Sequence, residues 1–177
     1  MYTIAEHTDL PSGFDSLVDH SIPAMDAGTF DWSFVGSPTT VDQKKASMRE
    51  AFEVYCDAPF GKVISWQKDG HLVQVNAGLV MPEDPQFIQY TLNVCGDDST
   101  GSKAWIHDSA YISSSREYMR DTMSLLGYKV VCYKNQSLYN YHANKIDAEL
   151  NYAVTEENES VDPSNGMTIT TLKFTYL

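Results

Sequence analysis

Basic residues are scarce in this chain: 12 Lys and Arg stand against 24 Asp and Glu, for a net charge of −12 and a pI near 4.6. Clustered cations supply most of the affinity for phosphate backbones, so this balance argues against nucleic acid as a partner and against an anionic membrane surface. The 11 tyrosines lack the interleaved Lys and Arg of a base-stacking platform. Cysteine is also sparse. Cys56, Cys95 and Cys132 lie far apart without Cys-x-x-Cys spacing, which reads as three reduced, mostly buried thiols in a reducing compartment. No stretch approaches the roughly 18 consecutive apolar residues of a membrane helix. The amino terminus has neither the basic start nor the apolar run of a signal peptide, so a cytoplasmic protein is expected. The five histidines show no metal-ligand spacing, and the chain has no P-loop, dinucleotide or kinase signature. Cys95, His107 and Asp108 are the residue types of a nucleophilic triad. Cys95, however, continues an alternating segment and has no glycine-flanked elbow.

What is present is enough for one core. The 177 residues are 42% apolar and 12% aromatic, which predicts a single domain over residues 1–177 whose first forty residues are irregular. A strand near Tyr2–Glu6 and a short helix near Phe14–Asp19 are expected there, followed by a loop whose aromatics Phe30, Trp32 and Phe34 cover the core. Thr40-x-x-Gln43 is a capping-box signal for a helix that carries Met48, Phe52 and Tyr55 on one stripe and ends near Asp57.

A β-meander should follow. Gly61–Gln67 turns at Lys68-Asp69-Gly70 into His71–Met81, with Val73, Val75, Ala77 and Leu79 predicted on one face. Phe87–Cys95 alternates, so Ile88, Tyr90, Leu92 and Val94 are predicted to share the core face. The loop Gly96–Gly101 reads as a turn, and Lys103–His107 as one more short strand. Asp108 or Ser109 caps a helix striped by Ile112, Met119, Met123 and Leu126, with Gly127 as its stop. Tyr128–Tyr133 has the β-branched character of a buried parallel strand, Gln136–Ile146 reads as a helix, and Glu149–Thr155 pairs with Met167–Tyr176 around an acidic loop. The fold class is therefore α+β: an antiparallel meander, one β-α-β crossover and a terminal hairpin in a mixed sheet, with helices on both faces.

Within residues 110–142 a helix ends in Leu126-Gly127, a β-branched strand follows, and Asn135 opens a helix carrying Leu138 and Tyr141. This order resembles the GCN5-related N-acetyltransferase (GNAT) fold, whose members move an acetyl group from acetyl-CoA to an amine. The resemblance implies an acyl-carrier groove between the strands Phe87–Cys95 and Tyr128–Tyr133, parallel neighbours that splay apart at one end. It implies acetyl-CoA as cofactor, held by Ala110, Tyr111, Ile112, Ser113, Arg116 and Asn135, and a small-molecule or protein amine as acceptor. Tyr139 or Tyr141 would protonate the leaving thiolate, and Glu83 or Glu117 could act as a base through water.

The family's diphosphate-binding turn, Arg/Gln-x-x-Gly-x-Gly/Ala, stands here as His107-Asp108-Ser109-Ala110-Tyr111-Ile112, without glycine and with an added carboxylate. The helix amino terminus still offers amides and a positive dipole end, with Arg116 and Arg120 one and two turns along. Two alternatives stay open. One is a non-catalytic interaction or structural module on the same architecture; the other is an unrelated α+β protein with a similar meander.

Overall fold

The computed structural model describes residues 1–26, 40–134 and 152–176. Strands β1 (Tyr2–His7), β2 (Gly61–Lys68), β3 (His71–Met81), β4 (Asp84–Cys95), β5 (Gly127–Tyr133), β6 (Tyr152–Val161) and β7 (Thr168–Tyr176) form one sheet in the order β1-β2-β3-β4-β5-β7-β6. All neighbours are antiparallel except β4 and β5, which are parallel. Helices α1 (Phe14–Asp26) and α2 (Val41–Asp57) pack on one face, and α3 (Ser109–Glu117) crosses the other on its way from β4 to β5. This is the mixed sheet and two-sided layering that the order of elements predicts.

Local chemistry accounts for the elements. The capping box at the start of α2 is formed, with the Gln43 amide donating to Thr40 Oγ1 at 3.2 Å and the Thr40 amide to Gln43 Oε1 at 3.2 Å. Asp69 and Gly70 take φ of 50° and 81°, the pair of positive values that a tight two-residue hairpin between β2 and β3 requires. Arg49–Asp15 and Lys45–Asp19 ion pairs tie α2 to α1.

Two predicted faces are corrected by bulges. Trp66 pairs with Gln74 but Gln67 pairs with Leu72, so Val73 is an extra residue in β3. It therefore joins Ile64, Trp66 and Ile88 on the α3 side, while Val75 and Ala77 pack under α1 and α2. Leu79, expected to complete that stripe, is exposed. In β4, Tyr90 pairs with Gly78 and Leu92 with Ala77, leaving Thr91 as the extra residue. Ile88 and Tyr90 thus face α3, whereas Leu92 and Val94 face α1 and α2. Side chains alternate with a period of two, and one inserted residue flips everything beyond it.

Other expectations shift at their ends. The short helix near Phe14–Asp19 extends to Asp26. Lys103–His107 contains a 3-10 turn (Ala104–His107) rather than a strand, because Trp105 is buried and its Nε1 donates to the Gly96 carbonyl at 3.0 Å. A π-turn over Tyr118–Thr122 follows α3 and advances the register, so Leu125 is buried and Leu126 exposed. The stop is Ser124, with φ of 57°, and Gly127 is already the first residue of β5. The acidic segment after Thr155 continues β6 to Val161, where Glu156 lies opposite Lys173 and Glu159 pairs with Lys134. The predicted helix Gln136–Ile146 and the aromatics Phe30, Trp32 and Phe34 lie outside the described residues.

Candidate functional site

The site begins where the sheet opens. Phe87–Tyr90 of β4 pair with Gly127–Val130 of β5, and there the parallel ladder stops. Each strand runs on: β4 continues to Cys95 paired with β3, and β5 to Tyr133 paired with β7. Among the described residues, the edges of β4 beyond Thr91 and of β5 beyond Val130 that face each other have no strand between them. The bulge at Thr91 stands at this branch point, and such insertions add local twist. The result is a cleft at the carboxyl ends of two neighbouring parallel strands, where open α/β sheets place ligands. As the crossover helix, α3 runs back from the end of β4 to the start of β5, so its amino terminus lies at the open end.

That amino terminus is already occupied by the chain's own carboxylate. Asp108 Oδ1 accepts from the Ala110 amide at 2.9 Å, and the Ile112 amide donates to the Asp108 carbonyl at 3.2 Å. The Asp108 amide itself donates to the Trp105 carbonyl at 3.0 Å. On the other side, the Tyr2 hydroxyl donates to Asp108 Oδ2 at 3.1 Å. Burial, reinforced by this bond to Asp108, raises the Tyr2 phenol far above its ordinary value, so it stays a donor. A Gly-poor turn whose amide is capped by a fixed carboxylate does not fit a diphosphate, which needs both the amides and the positive dipole end.

Beneath α3 lies a polar strip inside an otherwise apolar layer. The Tyr111 hydroxyl donates to Gln74 Oε1 at 2.6 Å, Gln74 Nε2 donates to Asn76 Oδ1 at 2.9 Å, and Asn93 Nδ2 donates to the same oxygen at 2.5 Å. Gln74 and Asn76 are buried, and Asn93 lies in the part of β4 that β5 has left. Buried amides that satisfy one another in a chain fix rotamers that apolar packing alone leaves free. The strip therefore holds the first turn of α3 against β3 and β4 at the cleft.

The loop after β4 is fixed by Asp98. Its side chain, only 5% exposed, accepts from Lys68 Nζ at 2.8 Å, the Thr100 hydroxyl at 2.6 Å, and the Thr100 and Ser102 amides at 2.9 and 3.2 Å. The bonds from Lys68 first, then Thr100, hold this carboxyl well below its ordinary value of 3.8. The stabilisation is therefore complete above that ordinary value and is lost as pH falls towards the depressed one. Asp98→Asn should melt a few degrees below the parent chain at pH 7, with the gap narrowing steadily below pH 3.8 in a pH series of thermal melts. A gap that stays constant down to the lowest pH would contradict this reading.

Among the residues that sequence reasoning placed at the cofactor, Ala110, Tyr111, Ile112, Ser113 and Arg116 all lie on α3, as expected. Their engagements are internal. The Ala110 amide is capped, Tyr111 packs edge-on against Trp105 at 5.1 Å, Ile112 packs towards β5 and β7, and the Ser113 hydroxyl donates to the Ala110 carbonyl at 3.3 Å. Arg116 lies about 10 Å along the helix from its start, at a rise of 1.5 Å per residue, and its charge helps hold Asp121 low. Arg120 forms a two-pronged contact with Asp121 at 2.7 and 3.0 Å. Glu117 lines a shallow open groove with Tyr2, Tyr118 and Asp121 on the far side of α3. Asn135, Tyr139 and Tyr141 lie outside the described residues.

Burial is the main cause pushing the Cys95 thiol up, which is the wrong direction for a nucleophile, and Asp108 is engaged elsewhere. Cys56 and Cys95 are half-buried, and only Cys132 is fully enclosed, its thiol pushed up to about 11 by burial. Sequence reasoning missed the Gln74–Asn76–Asn93 strip and the partners of Asp98. It also missed a larger groove, about 570 Å³, where His20 pairs with Asp97 at 2.9 Å beside His71 and Ser16. The polar residues of the strip at alternate positions on β3 were the available signal.

No protein-family model matches the sequence, and no curated protein matches it. Solved structures do. An aminoglycoside 6'-acetyltransferase type Ii superposes with a TM-score of 0.58 at 10% identity, over 99% of this chain and 97% of that one. A mutant of the SpeG spermidine N-acetyltransferase from Vibrio cholerae gives 0.55 at 7% identity, over 97% and 92%. A chimera of that enzyme with hSSAT gives 0.56 at 8%, over 99% and 95%. At such identities the likeness is one of fold. Strand order, a parallel pair that parts after four residues, and these superpositions together give the chain a divergent GNAT-like fold.

Proposed function

We propose that this protein is an acyltransferase that takes an acyl thioester of pantetheine into the β4–β5 cleft and acylates an amine. The observation that carries this reading is the parting of β4 and β5 after Tyr90 and Val130. An extended arm with alternating amide groups can replace the missing ladder between two strand edges, as a β-strand would. Two solved structures that share this fold bear the names of a spermidine N-acetyltransferase and an aminoglycoside 6'-acetyltransferase. A net charge of −12 favours a cationic amine acceptor over an anionic one. Tyr139 and Tyr141 are the proposed acids for the departing thiolate, whereas Glu117, at the carboxyl end of α3, and Glu83, in the turn before β4, stand at the closed end of the β4–β5 pair, away from the cleft. The fit is divided: the cleft suits the pantetheine arm, whereas the α3 turn does not suit the diphosphate of CoA, and no step is assigned to that group.

Thiol release from acetyl-pantetheine, followed with and without spermidine, tests this. Amine-dependent release is expected. A second reading, a non-catalytic interaction module on the same architecture, is favoured by the Asp108 carboxylate at the helix end. It is the reading that survives if no thiol appears with any amine.

A further inference from the structure

We infer that Asp108 is an internal anion that fills the place of a ligand's diphosphate at α3, so that this cleft selects thioester donors by their pantetheine arm and gains nothing from a nucleotide. The donor half of this inference rests on the function proposed above; the Asp108 half does not. Three observations converge on it. The carboxylate makes the contacts an anion makes at a helix start, with Oδ1 on the Ala110 amide at 2.9 Å. It is held from behind by the Tyr2 hydroxyl at 3.1 Å, from the opposite edge of the sheet, so it is built into the fold and not a loose surface acid. Lys68, a cation close enough to Asp108 to feel its charge, is committed to Asp98 at 2.8 Å.

A second anion placed there would meet a fixed negative charge, an amide already satisfied and β-carbons where glycines would allow close approach. The chemical class of donor that remains is one whose recognition ends with the pantetheine arm itself, whatever that arm is attached to. A nucleotide and a protein-borne pantetheine would be equivalent as far as α3 is concerned.

Titration calorimetry on the full chain and on Asp108→Gly and Asp108→Asn separates the parts, with ADP, acetyl-pantetheine and acetyl-CoA as probes. The parent chain should bind acetyl-pantetheine and acetyl-CoA within about threefold of each other and give no heat with millimolar ADP. Asp108→Gly frees the amide and removes the charge, so ADP affinity should rise by about tenfold or more, as charge-assisted bonds to a helix end imply. Asp108→Asn keeps the cap without the charge, guards against a helix start that fails to form, and should gain less than Asp108→Gly.

Micromolar ADP binding by the parent chain would overturn the inference, as would acetyl-CoA binding more than about tenfold tighter than acetyl-pantetheine. So would ADP affinity left unchanged in both variants. If acetyl-pantetheine fails to bind while ADP binding appears in Asp108→Gly, the proposed function falls and the assignment of Asp108 stands.

Discussion

Gly127→Ala should cost about 3 kcal/mol or more of unfolding free energy, a large effect for one methyl group. A β-carbon there would lie inside the van der Waals shell of the Phe174 carbonyl oxygen and 2.9 Å from the Phe87 ring. The first obstacle is backbone, in β7, and cannot rotate away. Gly127 is also the first residue of the parallel pair with β4 and is paired with Thr175 across to β7. Pushing β7 aside therefore disturbs both ladders of β5 at the root of the cleft. Overpacking at a yielding site costs about 1–3 kcal/mol, and here the site does not yield. Gly166→Ala is the control: its φ is 70° but nothing lies within 4 Å, so only the left-handed strain of about 1 kcal/mol applies. Urea unfolding followed by circular dichroism measures both. Equal losses for the two variants would refute the steric account.

Trp105→Ala should be comparably severe, at about 3–5 kcal/mol, as for other buried aromatics truncated to alanine. Trp105 is 1% exposed, donates to the Gly96 carbonyl at 3.0 Å, and packs edge-on against Tyr111. Removing it leaves a cavity and an unsatisfied carbonyl at the end of β4. The 3-10 turn it anchors precedes Asp108, so the start of α3 loses its seat as well. At about 2–4 °C per kcal/mol for a chain of this size, the melting temperature should fall by roughly 6–20 °C. Trp105→Phe keeps most of the volume but not the hydrogen bond, and should recover more than half of the loss. A variant that melts within a degree or two of the parent chain would show that Trp105 does not anchor this corner.

These two residues also show where sequence reasoning succeeds and where it stops. The meander, the crossover and the closing hairpin were legible because turn chemistry is local: Asp69 and Gly70 both take positive φ, and so does Gly166 after Asn165. The α2 capping box and the Asp108 cap were legible for the same reason. Gly127 was read as a helix stop because a glycine after Leu126 looks the same whether it ends a helix or admits a neighbouring carbonyl. Only the distant Phe174 decides between the two.

The bulges at Val73 and Thr91 were invisible for a related reason. An inserted residue leaves alternation looking continuous while reversing the faces beyond it, so Leu92 and Val94 were assigned to the wrong side. The bulge that escaped notice in β4 is also the branch point of the cleft. The departure of the His107–Ile112 turn from a glycine-rich pattern was visible from sequence, and the structure gives it a cause in the Asp108 carboxylate. That carboxylate's second partner, Tyr2, lies 106 residues away and carried no signal at all.

The central claim, that the open stretch of β4 beyond Thr91 receives an extended thioester arm, is tested most directly by hydrogen exchange of backbone amides. With saturating acetyl-pantetheine, amides within Leu92–Cys95 of β4 and Val131–Tyr133 of β5 should gain protection, since a ligand bridging the two edges satisfies them. Amides of α2, behind the sheet, should change only with global stability. Protection confined to other segments, or unchanged exchange along both strands at saturation, would contradict the account.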